Sequence, residues 1–120
     1  MKISFLSIDN EKNRIFFSSE AVKSNDELAF VDGTTPNTTI HLITIDNKLK
    51  LIRDGSVKME MIFIDKEKTK GTYRNEMGLE FEFDIFCHEL IIEEQRYVIK
   101  YDMILDNVIQ NQHKIMIKIN

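Results

Sequence analysis

Apolar and polar residues alternate along most of this chain, and that period admits few folds. Leu79, Phe81, Phe83, Ile85 and Cys87 fall on one parity, with Glu80, Glu82 and Asp84 on the other. Successive strand side chains point to opposite faces, so this segment reads as a strand with one apolar and one acidic face. The same reading fits Val57, Met59, Met61 and Phe63 against Lys58 and Glu60. It also fits Tyr97, Ile99, Tyr101, Met103 and Leu105, and His113, Ile115, Ile117 and Ile119. One buried and one solvated face marks antiparallel sheet.

Composition supports the same conclusion. The 120 residues include 18 Ile and 8 Phe but only two Ala. β-branched and aromatic residues suit a pleated surface, whereas Ala is the best helix former. The length and apolar content suit one domain with one core. Strands are expected near residues 2–8, 13–22, 27–32, 38–45, 48–53, 57–64, 70–75, 79–87, 88–94, 97–106 and 109–119, some merging at bends. Residues 19–28 leave room for one helical turn. Asp46-Asn47, Asp54-Gly55, Lys70-Gly71, Gly78 and Asp106-Asn107 supply turn residues. Asp65 to Lys70 reads as a charged hairpin loop that blunts an edge. Regular short strands suggest a barrel or sandwich of about eight to ten strands.

Charge and motif content exclude several functions. The net charge is −4, with eight basic and nine acidic residues in positions 1–60 and eight and eleven in 61–120. Neither half offers a basic surface for nucleic acid. One Cys allows no internal disulfide. The N-terminal Met-Lys-Ile-Ser-Phe-Leu-Ser-Ile soon meets Asp9 and Glu11 and does not read as a signal peptide. Apolar runs such as Ile62-Phe63-Ile64 fall far short of the roughly 20 residues of a membrane-spanning helix. These features suggest a soluble, cytoplasmic protein that engages neither membrane nor nucleic acid.

From Thr38 onward, an ordered set of short motifs is present. Thr38-Thr39-Ile40 opens a strand, and Ile52-Arg53-Asp54-Gly55 supplies an Arg-x-Gly turn. Met61-Ile62-Phe63 follows, then Tyr73 and Gly78-Leu79-Glu80, then Ile99-Lys100-Tyr101-Asp102-Met103, and finally Lys114 to Ile119. This set resembles the domain-of-unknown-function 1934 family, the small bacterial YwiB-like proteins. Met77 stands where that family has a second aromatic, and Phe30-Val31-Asp32-Gly33 stands where it has a Tyr-x-Glu-Glu-like segment. The resemblance implies a lipocalin-like or calycin-like antiparallel β-barrel and implies no activity.

Three residues are candidates for ligand contact. Arg53 shares parity with Leu49 and Leu51, so it faces the core side of its strand. A guanidinium there needs acceptors, supplied by a ligand carboxylate or phosphate or, more simply, by backbone carbonyls at the strand end. Tyr73 and Tyr101 combine an apolar body with a polar tip, which suits a pocket wall or a core. Gly55 reads as a turn residue. His41, His88 and His113 lie far apart, and neither Cys-x-x-Cys nor His-x-x-x-His occurs, so no metal site is expected. Cys87 reads as a small core hydrophobe and His113 as a strand-end residue. Glu80, Glu82 and Asp84 read as a solvated face paired with Lys or Arg. No nucleophile elbow, P-loop or dinucleotide fingerprint is present, so no catalytic residue and no cofactor are expected.

Two functions follow. One is a non-enzymatic binding protein that holds a small, partly apolar ligand in or at the mouth of the barrel, beside Arg53, Tyr73 and Tyr101. It calls for a cavity of roughly 300 Å³ or more. The other is a filled-core interaction module, acting through its outer surface or as a homodimer. Its support is the bulk of Phe5, Phe17, Phe63, Phe81, Phe83, Met59, Met61 and Tyr101.

Overall fold

A computed structural model describes residues 1–120. Ten strands form: β1 (Lys2–Asp9), β2 (Arg14–Lys23), β3 (Glu27–Val31), β4 (Thr39–Ile45), β5 (Lys48–Asp54), β6 (Val57–Ile64), β7 (Lys68–Asn75), β8 (Glu80–Ile92), β9 (Arg96–Leu105) and β10 (Val108–Ile119). Each pairs antiparallel with the next, and β10 pairs with β1, closing a barrel. Closure leaves no edge strand, which removes the unpaired backbone that would otherwise recruit other chains. The Asp65–Lys70 segment therefore blunts no edge. It is a tight turn after Ile64, with Lys66 at φ 63°, and Lys68 and Lys70 already lie in β7.

The alternation places the apolar set inside. Ile3, Leu28, Leu42, Leu49, Phe63 and Ile85 are completely buried in one cluster with 14 other residues. The outer face carries the charges, and Asp84 pairs there with Lys68 at 3.5 Å and Lys70 at 3.2 Å.

Local chemistry explains the turns. Leu105 pairs with Val108, leaving Asp106 and Asn107 as a two-residue hairpin loop. Both have positive φ, 53° and 65°, as a type I′ turn requires. Gly78 sits at φ 86°, where an L side chain would be strained.

Several sequence expectations change. Residues 19–28 hold no helical turn, because β2 continues to Lys23 and β3 starts at Glu27. Segments 79–87 and 88–94 are one strand, β8. Its register shifts between Cys87 and Glu89, so His88 is an extra residue. That β-bulge explains why the apolar parity changes phase there. Gly71 is no turn residue: it lies opposite Phe83 in mid-strand, where a Cβ would come within 2.4 Å of the Phe83 ring. Gly55 lacks positive φ, and its Cβ would meet Thr38 Oγ1 at 2.3 Å, so close approach is what requires glycine there. His113 lies within β10, opposite Asp9, and not at its end.

Candidate functional site

An up-and-down barrel has two unlike ends. One holds both chain termini and the turns after β2, β4, β6 and β8. The other gathers the turns after β1, β3, β5, β7 and β9, and the polar interior residues lie there.

Arg53 extends the inward row Leu49, Leu51, Arg53, between Ile40 on β4 and Met59 on β6. It does not bond strand-end carbonyls. Its Nη2 donates to the Asp32 carboxylate and, at 3.0 Å, to Thr35 Oγ1. Asp32 continues the inward row Leu28, Phe30 one residue beyond β3, and its side chain is 2% exposed against 33% for Arg53. Asp32 Oδ1 also accepts the Thr34 amide at 2.8 Å and the Thr34 hydroxyl at 2.7 Å. These bonds tie the β3–β4 connection to β5. Burial pushes the Asp32 carboxyl up, but the Thr34 hydrogen bonds and then the Arg53 charge outweigh it. The net effect holds this carboxyl below the usual carboxylate value.

Beside this pair lies an internal cavity of about 220 Å³, lined by residues including Phe5, Phe17, Arg53, Met59, Tyr101 and His113. Its volume is that of roughly seven waters at ~30 Å³ each. It falls short of the roughly 300 Å³ typical of small-molecule pockets, while the interior is not completely filled. Tyr101 stacks on His113 with centroids 5.3 Å apart and tilts against Phe63 at 4.9 Å. Burial raises the Tyr101 phenol strongly, partly offset by the Arg53 charge, so it stays protonated. Burial lowers His113, with Asp9 pulling the other way, so its ring favours the neutral form.

Tyr73 lies apart from the cavity. It stacks on Phe81 at 4.9 Å and shares with Arg53 and Met59 a depression of about 370 Å³ at the rim. The structure thus brings Arg53 and Tyr101 to one cavity and leaves Tyr73 in a separate depression that shares Arg53 and Met59 with it. Asp32, Thr34, Thr35 and His113 belong to the same end, and sequence reasoning did not single them out as site residues. For Asp32 a signal existed: a carboxylate on the inward parity of Leu28 and Phe30. Cys87 is buried, and burial, with Asp65 adding to it, pushes its thiol up to about 11. No three His, Cys, Asp or Glu side chains gather into a metal-holding group.

Fold and site together define a small all-β protein: a closed ten-stranded antiparallel barrel with a partly polar cavity at one end. The family model described as Domain of unknown function (DUF1934) matches residues 22–117, and the chain belongs to that family. The match begins well before Thr38 and includes the divergent Phe30–Gly33 segment. Among solved structures, the crystal structure of ywiB protein from Bacillus subtilis is similar at TM-score 0.69 and 16% identity, over 97% of this chain and 87% of that one. At that identity the likeness supports the fold alone. No curated protein matches the sequence.

Proposed function

We propose that this protein is a non-enzymatic, cytoplasmic binding protein for a small, uncharged, partly apolar molecule held at the Arg53 end of its calycin-like barrel. The observation that carries this reading is the cavity of about 220 Å³ lined by Arg53 and Tyr101, which is smaller than the reading called for and so limits the guest to a molecule below usual ligand size. Its polar groups sit among Phe, Met and Ile side chains, the usual composition of a small-molecule site. Asp32 already neutralises Arg53, so an anionic ligand would have to displace a buried, hydrogen-bonded carboxylate. A neutral guest with one hydrogen-bonding group avoids that cost. Tyr73 at the rim then contacts only a ligand longer than the cavity. Native mass spectrometry of the protein purified from its own host tests this. A retained small-molecule mass, lost in an Arg53→Met, Tyr101→Phe variant that still folds, is the expected result. A ligand-free native mass, with no thermal shift from any small polar-apolar compound, overturns it.

The second reading, an interaction module, rests on the outer face. Phe16, Leu6, Met116 and Val98 lie in register across β2, β1, β10 and β9. Phe16 is 67% exposed beside a groove of about 680 Å³. A knob next to a groove on one face is self-complementary, as a two-fold dimer requires. The same mass spectrum reads oligomer size, and Phe16→Ser abolishes any dimer built this way.

A further inference from the structure

Outside the barrel, across β8, β9, β10 and β1, lies a concavity of about 360 Å³ that shares Tyr101 and His113 with the inner cavity and adds charged groups the ligand-binding reading does not use. Lys100 and Lys114 are direct cross-strand partners in its wall, and both are exposed. Like charges directly opposite on one face destabilise a sheet. In the two other directly opposed basic pairs, Lys58–Arg74 and Lys118–Arg96, one member is paired with a carboxylate, Lys58 with Asp54 and Arg96 with Glu93. Lys100 and Lys114 make no such pair, although Glu89 is the register partner of Lys100.

His88 lies on the outward parity of Glu82, Asp84 and Phe86, and the β-bulge places Glu89 in its stead opposite Lys100. Lys66 Nζ donates to the His88 carbonyl, fixing the bulged backbone. The His88 ring sits edge-on to Phe86 at 4.8 Å, with Nε2 2.9 Å from Asp102 Oδ2. Asp102 is 6% exposed although it lies on the outer face of β9, so this carboxylate serves the imidazole and not the solvent. Asp9 also lines the concavity, but its oxygens already accept the Glu11 and Asn13 amides and the Asn13 side chain. The Asn10 and Gln112 side-chain amides complete the rim.

We propose that this concavity binds a small phosphate-bearing anion through the ammonium groups of Lys100 and Lys114, with the His88 ring, held by Asp102, as the adjoining wall. Asp9 and Asp102 in the same lining are engaged by the Glu11 and Asn13 amides and by His88, which leaves the two ammonium groups free to meet an anion, and each charge-assisted hydrogen bond to phosphate is a strong one. The anion is either free phosphate or the phosphoryl group of a small monoester.

The full chain is titrated at low ionic strength with inorganic phosphate and, separately, with glycerol phosphate, following the His88 ring and the amides of β9 and β10 by NMR. The expected result is a saturable shift confined to this wall. Binding should weaken about tenfold in Lys100→Gln or Lys114→Gln and stay unchanged in Lys50→Gln. Tighter glycerol phosphate binding assigns a monoester, and equal or weaker binding assigns free phosphate. Without phosphate, Lys114→Gln should melt no lower than the native chain, because a repulsion has gone. No saturable shift with either probe, equal affinity in the Lys100→Gln, Lys114→Gln double variant, or the same response to chloride at matched ionic strength overturns the proposal.

Discussion

At the end of the barrel that holds the chain termini, Ile3, Leu28, Leu49, Phe63, Ile99 and Ile117 are at most 1% exposed. At the opposite end the equivalent inward positions are Phe17, Met59, Tyr73, Phe81 and Met103, all only partly buried, together with Arg53 and His113. The same ten strands form both ends, so the difference comes from side chains alone. Branched aliphatics, Phe63 and the buried Tyr97 close the first end, where, of the apolar side chains packed on the core, only Leu90 and Ile92 of β8 are partly buried. Flexible Met and amphipathic side chains leave the second with a cavity, an ion pair and a stacked Tyr101–His113. Stability should therefore be concentrated at the sealed end, and ligand chemistry at the open one.

The sharpest way to break this comparison lies within β6, where Phe63 and Met59 face inward four residues apart. Phe63→Ala opens a void in a sealed region and should cost about 3–5 kcal/mol. Met59→Ala enlarges an existing cavity from a half-buried site and should cost about 1 kcal/mol, since partial exposure reduces both the transfer and cavity contributions. Urea unfolding of the two variants measures both. Equal losses would mean that the open end is packed as tightly as the sealed one.

A smaller effect is expected at the ion pair. Asp32→Ala leaves the Arg53 guanidinium without its carboxylate and frees Thr34, and should cost about 2 kcal/mol at neutral pH. The folded-state carboxyl lies below its unfolded value of about 3.9. Its contribution is thus complete above about pH 4 and fades as pH falls through the folded value. Urea unfolding curves of native chain and variant should converge in acid. A difference that persists there would assign the loss to packing and not to charge.

How far the sequence revealed these ends follows from the kind of signal each residue leaves. A period of two depends only on neighbouring side chains, so strands such as β6 and β9 and the inward position of Arg53 were legible directly. The bulge at His88 was visible only as a change of phase and was read as two strands. Gly71 was misread because its cause, the Phe83 ring, lies across the strand pair and not in the adjacent sequence. Asp32 pairs with Arg53 from 21 residues away. Nothing local announces a partner at that distance, although the parity of Asp32 with Leu28 and Phe30 marked it as inward. Tyr73 and Tyr101 share an inward parity on different strands, yet Tyr73 lies nearer the end of β7 than Tyr101 does to the end of β9, and they line different hollows. That three-dimensional offset is not encoded in either strand alone.

The smallest expected effect tests whether the open end is apolar enough to be a pocket. His113 stacks on Tyr101, and burial depresses its folded-state value below the unfolded 6.5 despite Asp9 opposite. A His with a depressed folded value binds its proton more readily when unfolded. Stability therefore falls as pH drops through about 6.5, and the loss is complete below the folded value. His113→Gln removes the titrating group while keeping a planar polar side chain, and should flatten the unfolding free energy between about pH 7 and 5. His41 and His88 are the other histidines, and each lies beside a carboxylate, Glu27 at 3.3 Å and Asp102 at 2.9 Å. If the slope survives His113→Gln, it does not come from burial of His113. The Tyr101–His113 wall would then be as wet as the barrel surface, and the open end would be a frayed rim and not a binding cavity.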